Sequence, residues 1–292
     1  MYKIKIIFAY YITDNFSLLH KWHLINFNNM LINENKYCND INFYLLINDI
    51  NDNKLIDETK QNILSYINKN FHEYISFNII QNNKIYREGL IYKNEIINKL
   101  NIYDDNELIL FLHTKGVSNN DNINNFNNTL HWISIMYYFN FHNISEILEK
   151  FYNENIITYG TLYNYDDSSL TKYKWQYTGS FHWLYPYRFL NYIKDKNISY
   201  DSIKERYTYN SFIRFCAEAF VGDNIEYDYI GFLDDKLFNK KCSHFLYENS
   251  KLPYSKILYV LSELTHPYNY INYINYFNKI YEDFNNEITN DI

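Results

Sequence analysis

His113, Thr114, Lys115 and Gly116 follow without a spacer on the apolar run Leu108–Leu112. Such a run reads as a buried strand, so its end delivers an imidazole, a hydroxyl, an ammonium and an unshielded glycine backbone to one spot. A lysine beside a glycine at a strand end brings a cation and bare N–H groups within reach of phosphate. The histidine can add a hydrogen bond, act as a general base or ligate a metal. The plain alternative is a polar turn with a solvated lysine. No Gly-x-x-x-x-Gly-Lys-Ser/Thr pattern precedes the segment, and no Gly-x-Gly-x-x-Gly occurs anywhere. A P-loop is therefore excluded, and dinucleotide binding has no support.

Three further groups carry chemistry. "YREG" places Arg87, Glu88 and Gly89 where a helix opens after a strand; an arginine there can clamp a diphosphate bidentately, and an Arg87–Glu88 surface pair is the alternative. "YTGSFHW" holds Gly179, His182 and Trp183. A glycine turn lets the backbone approach a ligand, and the two rings offer a stacking wall unless they are core. "RYTYNSFIRFCAEAFVGD" carries Arg206, Arg214 and Glu218, the last between Ala217 and Ala219. A carboxylate with small neighbours on a helix wall is a candidate general base; a surface pair with Arg214, four residues earlier, is the alternative. Of the acidic pairs, Asp166–Asp167 follows a strand at the correct end for a site and is the best metal candidate. Asp234–Asp235 is a second, and loop solvation explains either.

Alternating elements must position these groups. "KIKIIFAYYI", "INFYLLIND", "YISFNIIQ" and "ELILFLHTKG" read as strands, and "SLLHKWHLINFNNMLI", "LIDETKQNILSYINKNF" and "GLIYKNEIINKL" as the helices between them. Near-continuous apolar strands separated by helices predict an α/β domain, a mostly parallel sheet covered on both faces. Ligands in such sheets bind beyond the carboxyl ends of the strands. That rim takes His113 to Gly116 together with Tyr10, Tyr11 and Thr13 at the end of the first strand. Beyond it come one long helix over about 130–152, a strand at "IITYGTLY", and a helix closed by Gly222. The tyrosine-rich amphipathic segment "YINYINYFNKIYEDFNNEI" predicts a final helix packed on the domain, or one serving dimer or membrane contact. One domain over 1–223 with a C-terminal extension over 224–292 is the economical organisation.

The chain has 292 residues, 47% hydrophobic and 21% charged, enough to bury a large core. A net charge of −7 and a pI near 5.7 argue against nucleic acid or an anionic membrane as the main partner. Asn, Ile, Tyr, Lys and Asp dominate and glycine occurs only 6 times. The abundant residues have A/T-rich codons, which points to an AT-rich genome and gives each Gly, Trp, Ala and Arg more weight. Cys38, Cys216 and Cys242 lack metal-ligand spacing, and their odd number suits a reducing compartment. No stretch approaches ~18 uninterrupted apolar residues, and no cleavage site follows the start. The expectation is a cytoplasmic protein, with peripheral contact at a membrane surface left open.

In order along the chain, "YREG", "LFLHTKGVS", "LHWISIMYYF", "YTGSFHW" and "CAEAFVGD" resemble a family of glycosyltransferase-like proteins. These occur in bacterial surface-polysaccharide clusters and large DNA viruses. The resemblance spans about 1–223; "HTKGVS" matches fully. Ser180 stands where the family has Asn, and His182 where it has the first Trp of "GNFWW". "HTK" occupies the place of the Asp-x-Asp common in metal-dependent GT-A transferases.

The resemblance implies a GT-A-like, Rossmann-like nucleotide-sugar-binding domain that moves a hexosyl or deoxyhexosyl group from a nucleotide-diphosphate sugar to a glycan acceptor. In the working hypothesis built on it, Tyr10, Tyr11, Thr13, Arg87, Glu88, Thr114, Gly116 and Gly179 serve the donor. Ser180, His182, Trp183 and Arg206 go to the sugar and acceptor, and Glu218, His113 and Lys115 to catalysis. Asp166 and Asp167 would be the ligands of Mn²⁺ or Mg²⁺, if a metal is used. The alternatives are a non-catalytic glycan-binding or scaffold protein of the same fold, and an enzyme moving a phosphoryl-type group onto a capsular sugar.

Overall fold

The computed structural model describes residues 2–13, 16–82, 87–114, 123–141, 143–160, 163–165, 175–177, 181–207, 216–226, 230–231 and 267–290. Its first half alternates as the sequence predicts: β1 (Lys3–Tyr11), α1 (Leu18–Asn33), β2 (Ile41–Ile47), α2 (Asn53–Tyr66), β3 (Ile75–Gln81), α3 (Arg87–Ile91) and β4 (Glu107–His113). There follow α4 (Ile123–Phe141), α5 (Ile144–Asn153), β5 (Thr158–Gly160), β6 (Tyr163–Tyr165), β7 (Trp175–Tyr177), β8 (His182–Leu184), α6 (Pro186–Asp195), α7 (Tyr200–Arg206), α8 (Cys216–Asn224), β9 (Ile230–Gly231) and α9 (Pro267–Asn290).

Seven strands form the main sheet in the order β3-β2-β1-β4-β8-β5-β9. β1 pairs in parallel with both β2 and β4, and β2 with β3. β8 runs antiparallel to β4 and to β5. The sheet is thus mixed, with one reversed strand inside a parallel frame. β1 and β4 are its centre: Ile6, Ile7, Phe8, Leu108, Ile109, Leu110, Phe111 and Leu112 have no exposed surface. Each such side chain contributes about 1.5–3 kcal/mol of burial, which accounts for apolar strands that scarcely alternate.

The helices start where the sequence supplies caps. Ser17 caps α1 and forms a capping box with His20; Asp52 caps α2. Each is worth about 1 kcal/mol. α3 is short and continues as a π turn, Tyr92–Ile96, and a 3-10 turn, Ile97–Ile102, instead of the single helix expected over this span. Wider turns bring both Tyr92 and Ile96 to full burial.

Two expectations fail in the second half. The single helix over 130–152 is two helices, because Asn143 adopts a left-handed φ of 105° and its side chain caps α5. Asn tolerates that conformation better than other non-glycine residues. Gly222 does not close α8, which runs on to Asn224. There Asn224 Nδ2 donates to the carbonyl of Phe220 at 2.7 Å and holds the last turn.

α9 packs on α1 and α4. Trp22 meets Phe277 and Phe284, and His131 stacks on Phe277 with centroids 3.6 Å apart. Tyr276 donates to Asn26 Oδ1 at 2.6 Å. This is the expected packing of the C-terminal helix on the domain. No helix among the described residues is long and apolar enough to cross a membrane.

Candidate functional site at the β1–β4 crossover

In the order 3-2-1-4 the chain builds outward from β1 on one side and then returns to its other side with β4. Open α/β sheets commonly bind ligands at such a reversal of strand order, outside the carboxyl ends of the strands. The residues at that point are Tyr11 to Thr13 from β1 and His113–Thr114 from β4.

The two strand ends are clipped together. Thr114 N–H donates to Ala9 O at 3.1 Å, and Tyr11 N–H donates to Thr114 Oγ1 at 2.9 Å. Thr114 is a buried hydroxyl that continues the ladder by one bond after the strand has ended. On the other side of Tyr11, its carbonyl accepts from His20 Nε2 at 2.8 Å. His20 Nδ1 accepts from Ser17 N–H at 3.1 Å and lies 2.8 Å from Ser17 Oγ. An imidazole that donates at Nε2 and accepts a backbone N–H at Nδ1 must be neutral. Burial drives the same way, and His20 is pushed down to about 4 although the Tyr11 carbonyl opposes this. His20 thus tethers the end of β1 to the start of α1.

His113, the last residue of β4, is buried, with its Nδ1 3.9 Å from Glu88 Oε1. That distance is an electrostatic contact and too long for a hydrogen bond. Glu88 sits in the first turn of α3, where a carboxylate is favoured. It faces His113 across the rim. Phe181 packs its ring edge on His113, with centroids 5.8 Å apart.

Tyr10 and Thr13 face the other side of β1, towards α1 and α2. With Ile12, Phe16, His20, Leu55, Glu58, Thr59 and Asn62 they line a cavity of about 80 Å³. Tyr10, Tyr11, Thr13, Glu88, His113 and Thr114 are therefore brought to one edge of the sheet.

Other predicted residues stand elsewhere. His182 and Trp183 do not form an exposed wall: both lie in β8 with no exposed surface. His182 Nε2 is 2.9 Å from Tyr92 OH, and Trp183 Nε1 donates to Asn140 O at 2.9 Å. Insertion of β8 between β4 and β5 turns both rings into core. Arg206 is committed to Asp223, at 2.6 Å. The Asp223 carboxylate is itself buried and also accepts from Tyr207 OH at 2.8 Å, so this arginine ties α7 to α8. Arg87 and Glu218 are placed by their backbone alone, Arg87 opening α3 and Glu218 inside α8. α8 packs on α3 and the π turn, with Phe220 against Tyr92, so the helices carrying Glu88 and Glu218 are neighbours. Lys115, Gly116, Asp166, Asp167, Gly179 and Ser180 lie outside the described residues.

Among the described residues no group of three or more His, Cys, Asp or Glu side chains is placed to hold a metal ion. Sequence reasoning missed His20. The usable signal was Ser17–His20, a capping-box spacing with His at the third position. It also missed Thr59 and Asn62, which carry no local signature. Comparison of the chain with family models and with curated proteins returns no match.

Proposed function

We propose that the chain is a glycosyltransferase that moves a hexosyl or deoxyhexosyl group from a nucleotide-diphosphate sugar to a glycan hydroxyl, through a GT-A-like nucleotide-binding domain. The observation that supports it is the crossover itself: β1 and β4 end together at the switch point of an open sheet, carrying His113, Thr114 and the Glu88 carboxylate to one rim. The segment Lys115–Gly116 continues directly from that point, and α3 opens beside it with Arg87.

In this reading Arg87, His113 and Lys115 surround the diphosphate. Negative charge grows on the leaving oxygen as the bond to the sugar breaks, and fixed positive charge there lowers the barrier more than it stabilises the ground state. Glu88 lies 3.9 Å from His113 Nδ1 at the same rim. Glu218 takes the proton of the acceptor hydroxyl while its oxygen bonds to the anomeric carbon, and the nucleoside diphosphate departs with the electron pair of the broken bond. Displacement of that kind inverts the anomeric centre. The burial of His182 and Trp183 takes them out of the acceptor side of this reading as well as out of any aromatic wall for glycan binding.

Titration of the full chain with UDP, GDP and dTDP, each with and without Mn²⁺, tests the donor site. Binding of at least one, lost in Lys115→Ala, is the expected result. No affinity for any of them, with the protein folded, would remove the proposal.

A further inference from the structure

The last turns of α1 and α4 and the middle of α9 enclose a second cavity, of about 400 Å³. Small-molecule sites span about 300–1,000 Å³. This one lies far from the β1–β4 rim. α1 starts where β1 ends and runs back towards the start of β2, and α4 leaves the end of β4. The 16 residues of α1 cover about 24 Å at about 1.5 Å per residue. The cavity is lined by the far end of that helix, Met30 to Glu34, and by Phe141 and Asn143 at the far end of α4. It therefore belongs to the amino ends of the strands, opposite the rim.

Its lining is apolar on one side and polar on the other. Met30, Tyr138 and Phe141 keep 4%, 3% and 3% of their surface accessible, and Tyr276 keeps more. The Tyr276 hydroxyl is already given to Asn26, so its ring is what remains for a ligand. At the mouth stand Asn33 and Asn143, both exposed, with the half-buried Glu34. Glu34 is the one charged side chain among the described residues of the lining, and its charge is already answered. Its Oε1 accepts the Asn143 N–H at 3.2 Å, and the Ile144 amide also bonds the carboxylate. Both amides belong to the start of α5, where the helix dipole is positive. A cation therefore finds a carboxylate that is engaged. A phosphate finds no Lys or Arg among those residues. A hydrocarbon would strip water from three polar side chains and return no hydrogen bond. A neutral ligand with one apolar face and hydroxyls around its edge meets every wall.

We infer that this cavity binds one neutral pyranose ring, with its C–H face on Met30, Phe141 and Tyr276 and its hydroxyls on the Asn33 and Asn143 amides and the Glu34 carboxylate. An amide offers a donor and an acceptor, as a sugar hydroxyl does. Asn33 has given one N–H to Asn29 Oδ1 and keeps the rest of its amide. The carboxylate has about four acceptor positions, and the two α5 amides use only some of them. The inference does not draw on the donor-site reading, because the cavity stands the length of α1 away from the rim. A glycan chain anchored here by one residue keeps its other residues at a raised effective concentration beside the protein.

The test follows the methionine methyl signals of the folded full chain by NMR. The chain has only 3 methionines, and Met30→Leu assigns the one in the cavity. The probes are the methyl pyranosides of glucose, galactose, mannose, rhamnose and N-acetylglucosamine, with tetramethylammonium, phenol and inorganic phosphate beside them. At least one pyranoside should shift the Met30 methyl at millimolar concentration, and the other three probes should bind more weakly. The affinity should be the same between about 0.02 M and about 0.5 M salt, since no net charge is matched. Asn33→Trp, at the exposed end of α1, should fill the mouth and weaken the pyranoside by at least about tenfold without lowering the melting temperature. UDP, GDP and dTDP should not displace the sugar. A Met30 signal indifferent to every pyranoside overturns the inference, and so does a preference for tetramethylammonium, phenol or phosphate. Displacement by a nucleotide would put the sugar at the rim and overturns it too. Nucleotide binding without any pyranoside effect at Met30 defeats this site and leaves the donor proposal standing; a Met30 effect in a chain that binds no nucleotide does the reverse.

Discussion

Acidification should loosen the end of β1, and His20 sets the size of the effect. Its ordinary value is 6.5 and the fold holds it near 4. The folded state therefore prefers the neutral ring, and the unfolded chain takes up the proton first. Stability from this group is complete above about pH 6.5, falls as the pH drops from 6.5 towards 4, and levels off below. Between pH 7 and pH 5 the unfolded ring becomes about 97% charged while the folded ring stays about nine-tenths neutral. The difference amounts to about 2 kcal/mol. Protonation of the folded ring at still lower pH would turn Nδ1 into a donor facing the Ser17 N–H and break the tether. His131, pushed by burial to about 3, adds a loss of the same sign at the α4–α9 contact, so the wild type alone does not isolate His20. Urea unfolding of the wild type and of His20→Gln at pH 7 and pH 5 does. Glutamine can still donate to the Tyr11 carbonyl and does not titrate. The wild type should lose about 2 kcal/mol more than the variant over this interval. Equal losses in the two proteins would refute the claim that His20 is held neutral.

Thr114→Val leaves the Tyr11 amide without its acceptor and should cost about 1–2 kcal/mol, with faster hydrogen exchange at that one amide, whereas Thr114→Ser should match the wild type in both. At the α7–α8 junction, Arg206→Ala strands a buried carboxylate and should cost about 3 kcal/mol in urea unfolding. Asp223→Asn keeps an acceptor for Tyr207 and releases an arginine side chain already 40% exposed to water, so it should cost less; the opposite ranking would contradict the burial of Asp223.

What could be read from the chain itself is whatever depends on local sequence. β1 to β4 and the helices between them were legible because "KIKIIFAYY" and "ELILFLH" are too apolar to be anything but two-sided strands, and because Ser17 and Asp52 cap helices by nearest-neighbour hydrogen bonds. From those elements alone it followed that His113 and Thr114 share a rim with Tyr11 and Thr13. The break before α5 was not legible, since one asparagine in a left-handed conformation decides it and the chain is full of asparagines. Nor was the fate of "SFHW". With 20% aromatic residues, two rings after a glycine suit a binding wall and a core equally well. Their burial was decided by β8 pairing antiparallel between β4 and β5, a contact between segments some 70 residues apart in the case of Phe111 and His182. The same holds for Arg206, whose partner Asp223 belongs to another helix, and for Glu88, which faces His113 across the sheet edge. Local sequence sets which segments are strands and where they end, because burial and capping act over a few residues. Which side chains meet at those ends is set by long-range pairing and packing, which no short stretch encodes.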